Sequence, residues 1–216
     1  MWQIAHRGSS HKYGDNNMTA FRKAYEEGFN MIELDVQLCF SGQIVVYHDI
    51  NIGDKYIIDM TYDDLKQHDV VLLEDVFAEF CYKDIMLFLD IKGSHAVAYP
   101  LIRLIEKWFS VSSMNRIYIS GFNRLFVDIV ASYNYNIQIG FTSSNMFSIE
   151  QIDTLVSHCG FVCLHWTALE PFLIEHLQKK HIKVFSYTCE DEFSLKHMLQ
   201  YNLDGIVTNH FINDLS

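Results

Sequence analysis

Met31-Ile32-Glu33-Leu34-Asp35-Val36 is an apolar run broken by two carboxylates spaced two residues apart. Successive side chains of a strand point to opposite faces, so Glu33 and Asp35 share one face. The pattern returns in Leu87-Phe88-Leu89-Asp90-Ile91-Lys92, where Asp90 and Lys92 share a face. Two apolar strands with charges near their C-terminal ends read as members of one parallel sheet whose polar residues gather at one end.

Six more apolar, β-branched runs surround these two. The candidate strands are Gln3–His6, Met31–Leu38, Ile85–Ile91, Arg116–Gly121, Ile137–Phe141, Phe161–Trp166, Lys183–Thr188 and Gly205–Thr208. Helix-like runs alternate with them: Asn16–Gly28, Leu73–Cys81, Val97–Phe109, Arg124–Asn134, Ile149–His158, Glu170–Lys180 and Glu190–Tyr201. The first is amphipathic, with Phe21, Ala24 and Tyr25 on one side and Arg22, Lys23 and Glu26 on the other. This βαβ rhythm predicts an α/β fold, a TIM (β/α)₈ barrel formed as a single domain by residues 1–216. Eight strands could also form an open doubly wound sheet, but no Gly-x-Gly-x-x-Gly follows the first strand. One segment breaks the rhythm. Phe40-Ser41-Gly42-Gln43 reads as a turn and Ile44–Tyr47 as a strand, a short hairpin insertion after strand 2 that ends in His48-Asp49. Residues 51–68 are polar and irregular and read as loop plus a short helix starting at Thr61-Tyr62-Asp63-Asp64.

Composition narrows the function classes. Half of the 216 residues are hydrophobic, enough for one sizeable core. The net charge of −11 comes with no basic stripe, which argues against nucleic acid, and with no basic membrane-surface helix. No apolar run approaches the roughly 18 residues of a membrane span, so stable membrane insertion is not expected. Met1-Trp2-Gln3-Ile4-Ala5 lacks the charged start and apolar stretch of a signal peptide, and a cytoplasmic location is expected. The five cysteines are odd in number and form no C-x-x-C pair, which reads as reduced, buried thiols.

In a barrel, Glu33, Asp35 and Asp90 would converge at the C-terminal ends of strands, where barrel active sites lie. Three bare carboxylates there would repel one another. One divalent cation removes the conflict, and an oxygen-only set suits Mg²⁺ or Ca²⁺ better than zinc, with Mn²⁺ also compatible. His6 ends the first strand and is followed by Arg7-Gly8; His48 ends the hairpin strand. Phe122, Phe141, His165, Trp166 and Tyr187 fall near strand ends, and of these Trp166 and Tyr187 are taken as candidate substrate-binding residues.

These motifs resemble the glycerophosphodiester phosphodiesterase family. Its members open with His-Arg-Gly, then Pro-Glu-Asn-Thr and a helix, then Glu-x-Asp and a His-Asp pair. This chain has His6-Arg7-Gly8, Gly14-Asp15-Asn16-Asn17, Glu33-Leu34-Asp35 and His48-Asp49. The family's later Glu-x-Lys resembles Asp90-Ile91-Lys92, and its closing signature resembles Leu203-Asp204-Gly205-Ile206-Val207-Thr208-Asn209. The resemblance implies Glu33, Asp35 and Asp90 as metal ligands, His6 and His48 as general acid and base, and Arg7 and Lys92 as phosphate contacts. It implies hydrolysis of a small glycerophosphodiester to glycerol 3-phosphate and an alcohol.

The chain departs from the pattern at Asp90, Asp15, Glu190 and Asn209, where the family usually has Glu, Glu, Asn and Asp. The segment from His48 to Asp90 leaves room for only a small cap, which predicts an open pocket tolerant of the headgroup. Sphingomyelinase D-like toxins use Asp as the third ligand and would extend the substrates to lipids, but they lack His-Arg-Gly. The drift at Asp15, Glu190 and Asn209 leaves a barrel that binds a phosphoester without turnover as a further alternative.

Overall fold

A computed structural model describes residues 1–133 and 135–212 of the chain. Asn134, the predicted end of the fourth helix, lies outside the described residues. Eight parallel strands form the barrel: β1 (Trp2–Ala5), β2 (Met31–Leu38), β3 (Met86–Ile91), β4 (Ile117–Gly121), β5 (Gln138–Ser143), β6 (Phe161–His165), β7 (Lys183–Cys189) and β8 (Gly205–Thr208). Each pairs with its sequence neighbour, and β1 pairs with β8 as well as β2, which closes the sheet. Seven connecting helices are described: α1 (Met18–Glu27), α2 (Leu73–Phe80), α3 (Ala98–Trp108), α4 (Arg124–Ala131), α5 (Ile149–Leu155), α6 (Pro171–Lys179) and α7 (Glu192–Met198). The barrel replaces the open-sheet alternative.

Side-chain alternation sorts the strands as the sequence predicts. Ile32, Leu34, Val36, Leu87 and Leu89 face the helices and are buried in the outer core. Met31, Phe88, Phe161, Phe185 and Val207 fill the barrel interior. Phe161 packs tilted against Phe185 at 5.0 Å and meets Phe88 edge-on at 5.5 Å, an aromatic plug beneath the polar end. Gly140 on β5 makes room for it, since a Cβ there would lie 2.4 Å from the Phe161 ring.

Boundaries moved where local chemistry competes. α1 starts only at Met18 because the Asn17 side chain caps it, accepting from the Ala20 N–H at 2.9 Å. Tyr25, expected on the buried face of this helix, is exposed instead. Strand β1 stops at Ala5, so His6 stands in the following turn, and β6 stops at His165, which puts Trp166 into a 3₁₀ turn. The insertion is more ordered than its polar sequence indicates. Ile44–Val46 pairs antiparallel with the end of β2, and Val71–Leu72 adds to its other side. A second hairpin, Asn51–Ile52 with Lys55–Tyr56, and a helix at Tyr62–Leu65 sit over a small core of Cys39, Val45, Ile57, Met60, Leu65 and Val70. Thr61 and Asp64 form the reciprocal cap expected of that helix start. No described helix is long and apolar enough to cross a membrane.

Substituting Gly140→Ala forces the Phe161 ring out of its slot. The expected cost is about 1–3 kcal/mol, typical of overpacking, read as a lower urea midpoint at unchanged slope. An unchanged midpoint would show that the plug is loosely packed.

Candidate active site

The polar end of the barrel is organised by the turn after β1. Gly8 donates its N–H to the Ala5 carbonyl at 3.2 Å, and a Cβ on Gly8 would lie 2.7 Å from the Ala20 carbonyl carbon, so only glycine fits. Arg7 and Asn16 both hold left-handed φ values, 55° and 52°, and are tied together by the Asn16 N–H to the Arg7 carbonyl at 3.1 Å. Non-glycine residues in this region carry strain and concentrate at functional sites. The turn aims the Arg7 N–H at Glu33 Oε2, 2.9 Å away, and the Asn16 amide at Asp35 Oδ2, 2.7 Å away.

Glu33, Asp35 and Asp90 are 4%, 1% and 7% exposed, and their carboxylate oxygens lie within 4.8 Å of one another. Register explains the convergence, since Asp35 on β2 stands directly beside Asp90 on β3. Lys92 bridges both, at 2.5 Å from Asp90 Oδ2 and 3.2 Å from Asp35 Oδ1. Arg7 Nε faces Asp35 Oδ2 at 3.1 Å in an ion pair not aligned as a hydrogen bond, while its Nη1 reaches Asp15 Oδ2 at 2.6 Å.

The three acids respond differently. Burial, then the charges of Asp35 and Asp90, drives the Glu33 carboxyl well above the usual range. Burial also raises Asp90 despite the ammonium beside it. For Asp35 burial pushes upward, but Lys92, Arg7 and the Asn16 amide outweigh it, and the carboxylate stays ionised below its usual pKa. Asp90 Oδ1 is buried with no hydrogen-bond partner. An orphaned carboxylate oxygen in an all-oxygen cluster fits a hard divalent cation. A divalent cation bound among the three would favour their ionised forms, which burial and mutual repulsion otherwise oppose at Glu33 and Asp90.

The histidines flank this cluster in contrasting settings. His6 Nδ1 meets Asn209 Oδ1 at 2.7 Å. Burial, then the Arg7 charge, lowers its pKa from the ordinary 6.5, against the raising effect of the Asn209 bond and the nearby aspartates. His48 Nδ1 lies 2.8 Å from Asp49 Oδ1, and its side chain is 44% exposed. Its loop is clamped by the buried Gln37, whose amide donates to the Tyr47 and Asp49 carbonyls at 2.8 and 2.7 Å.

A cavity of about 160 Å³ opens at this end and is lined by His6, Arg7, Lys92, His48, the acids and, across from them, Thr142, Cys163 and Tyr187. The predicted metal ligands, both histidines, Arg7 and Lys92 all meet here. Trp166 does not: it packs towards His197 on α7 at 6.3 Å, because β6 ends one residue before it. Phe141 and His165 also lie off the cavity lining, while Phe122 joins it beneath the Lys92 ammonium at 5.4 Å. Sequence reading passed over Gln37 and the positioning part of Asn16. Asn16 sits within the quoted motif and was open to notice, whereas Gln37 carried no signal beyond being polar inside an apolar strand.

The sequence pattern of the glycerophosphoryl diester phosphodiesterase family matches residues 6–212. The chain belongs to this family. Membership makes it a phosphoric diester hydrolase by class. Its relatives include the glycerophosphodiester phosphodiesterase of Caldanaerobacter subterraneus subsp. tengcongensis, 27% identical over 95% of this chain and 93% of that one. That of Bacillus altitudinis is 25% identical with the same coverage. Among solved structures, the glycerophosphodiester phosphodiesterase of Thermotoga maritima is 26% identical and superposes with a TM-score of 0.81 over 97% of this chain and 94% of its own. An Oleispira antarctica phosphodiesterase in complex with the product sn-glycerol-3-phosphate shares the fold at a TM-score of 0.85 and 20% identity, over 97% of this chain and 93% of its own.

Within the family frame, Asn209 is the departure with the clearest physical consequence, since it places a neutral amide where a carboxylate usually stands. Asn209→Asp should raise the His6 pKa by about 1–3, the usual effect of an adjacent opposite charge, measured by NMR titration of the His6 ring. An unmoved titration would mean that the two side chains do not pair in solution.

Proposed function

We propose that the chain hydrolyses glycerophosphodiesters to glycerol 3-phosphate and an alcohol, with His6 and His48 moving the protons and Arg7 and Lys92 holding the phosphate. The convergence of both histidines, both cations and three carboxylates on one cavity carries this reading. Glu33, Asp35 and Asp90 would hold one divalent cation, Mg²⁺ or Ca²⁺ by the hardness of the donors, with Mn²⁺ also suited. When bound, such an ion supplies Lewis-acid neutralisation of charge on the phosphoryl oxygens.

The environments of the two histidines divide their tasks. His6 is half-buried beside Arg7, with an amide oxygen accepting from its Nδ1–H, so the neutral ring with a free Nε2 is favoured. That suits a base, which takes the proton of the attacking hydroxyl. His48 is half exposed, with its Nδ1 2.8 Å from Asp49 Oδ1, where solvent can return a proton between turnovers. That suits an acid, which protonates the departing alcohol. The Lys92 ammonium, its pKa raised because Asp90 and Asp35 outweigh its burial, and the always-charged Arg7 guanidinium offset the anionic charge of the diester.

Glycerophosphocholine with added Mg²⁺, Ca²⁺ or Mn²⁺ should release glycerol 3-phosphate, detected by a coupled dehydrogenase assay. EDTA should abolish this and restored cation should recover it. Full turnover after exhaustive chelation would remove the cation from the reading, and no turnover with any of the three ions would leave only a binding barrel.

His6→Ala and His48→Ala should each lower kcat by about 10²–10⁴-fold while the proteins stay folded by circular dichroism. A base must be unprotonated, and the His6 pKa lies below 6.5, so kcat/KM should climb with pH through a midpoint below 6.5. A midpoint at or above 6.5 that disappears in the His48 variant instead would reverse the two roles.

A further inference from the structure

We infer that the Tyr187 hydroxyl reads a hydroxyl group of the glycerol half of the substrate, and that the glycerol lies against the β5–β7 side of the cavity. This deepens the function proposed above and rests on it.

The cavity has two unlike walls. The wall built on β1–β3 and the hairpin loop carries the charge: His6, Arg7, Glu33, Asp35, Asp90, Lys92 and His48. The opposite wall carries Thr142 from β5, Cys163 from β6, and Tyr187 and Thr188 from β7, all uncharged and nearly all able to hydrogen-bond. An anionic phosphate belongs on the first wall. What faces the second is neutral and hydroxyl-bearing, which describes glycerol and not a cationic headgroup such as choline. Size points the same way. About 160 Å³ is well below the roughly 300–1,000 Å³ of pockets that take drug-sized ligands, so one polyol phosphate half enters and the alcohol half stays at the open mouth.

Tyr187 stands out on this wall because its hydroxyl is closed off from solvent and has no hydrogen-bond partner. Ser144 approaches it without reaching hydrogen-bond geometry. Burial above all, then the neighbouring Cys163 and Asp90, pushes its pKa up, so the phenol stays neutral and can both donate and accept. The ring is held edge-on by Phe122 at 6.1 Å and His165 at 5.5 Å, which leaves the hydroxyl a fixed aim. Deeper in the barrel, Thr142 Oγ1 is already engaged by Ser120 Oγ at 2.5 Å. An unpaired buried hydroxyl is costly, and a ligand hydroxyl that meets it removes the cost. A ligand lacking that hydroxyl leaves it unmet, which is how a polar pocket rejects deoxy analogues.

The test is calorimetric titration of the full chain, with Mg²⁺ present, using sn-glycerol 3-phosphate and n-propyl phosphate, which keeps the phosphate and carbon chain but has no free hydroxyl. The wild type should bind glycerol 3-phosphate about 10–100-fold more tightly. Tyr187→Phe should shrink that ratio to less than about 3-fold by weakening glycerol 3-phosphate alone, with an unchanged or higher melting temperature. Equal weakening of both ligands would assign Tyr187 a merely structural role and overturn the inference. So would an undiminished preference in the variant, or no preference in the wild type. Failure of the parent reading shows separately, as absence of glycerophosphocholine turnover by a wild type that still discriminates between the two phosphates.

Discussion

Three carboxylates buried side by side are the constraint that the polar end of this barrel is built around. Asp35 and Asp90 are adjacent in the register of β2 and β3, and Glu33 sits one turn of the pleat below Asp35. Ionised groups at this depth are costly unless charges and hydrogen bonds compensate them. Lys92 comes from the same strand end as Asp90 and answers two of the three. Arg7 answers Asp35 and Glu33, but only because its backbone takes a left-handed turn that Gly8 makes room for. Asn16, also strained, contributes its amide to Asp35. The strain of the turn and the burial of the acids therefore explain each other.

Stability and chemistry are separated along the barrel axis. Below the acids, Phe88, Phe161 and Phe185 fill the interior and make it a packed core rather than a channel. Above them, β2 runs past β1, which it leaves at Ile32, and the exposed length of β2 pairs with the hairpin strand Ile44–Val46. That overhang delivers His48 to the cavity that His6 also lines, and Gln37 locks the loop by its backbone carbonyls. The insertion thus acts as a bracket for one histidine, with its own small core to stiffen it.

The contrast between the histidine partners follows from the same plan. His6 emerges from β1 into a crowded, part-buried corner where the residue just after β8, Asn209, meets it. His48 stands on an exposed loop beside Asp49. Two rings with equal intrinsic chemistry thus sit in different surroundings, one crowded beside an amide and one open beside a carboxylate.

Much of this was legible in the order of residues. Period-two spacing put Glu33 with Asp35 and Asp90 with Lys92, and the alternation of strand and helix implied a parallel α/β sheet, because both signals are local. Other readings needed distances between segments far apart in sequence. Trp166 looked like a pocket residue and is not, since whether β6 ends before or after it depends on pairing with β7, which stops at His165. Tyr25 looked buried on helical spacing, but what α1 packs against leaves it in solvent. The pairing of His6 with Asn209 spans 203 positions and exists only because β1 and β8 close the barrel. The sequence by itself determined which strands carry the charges and on which face; only the tertiary structure decided which of those charges, hydroxyls and histidines meet, because the closure of eight strands and the tilt of their ends place groups from opposite ends of the chain within a single hydrogen bond.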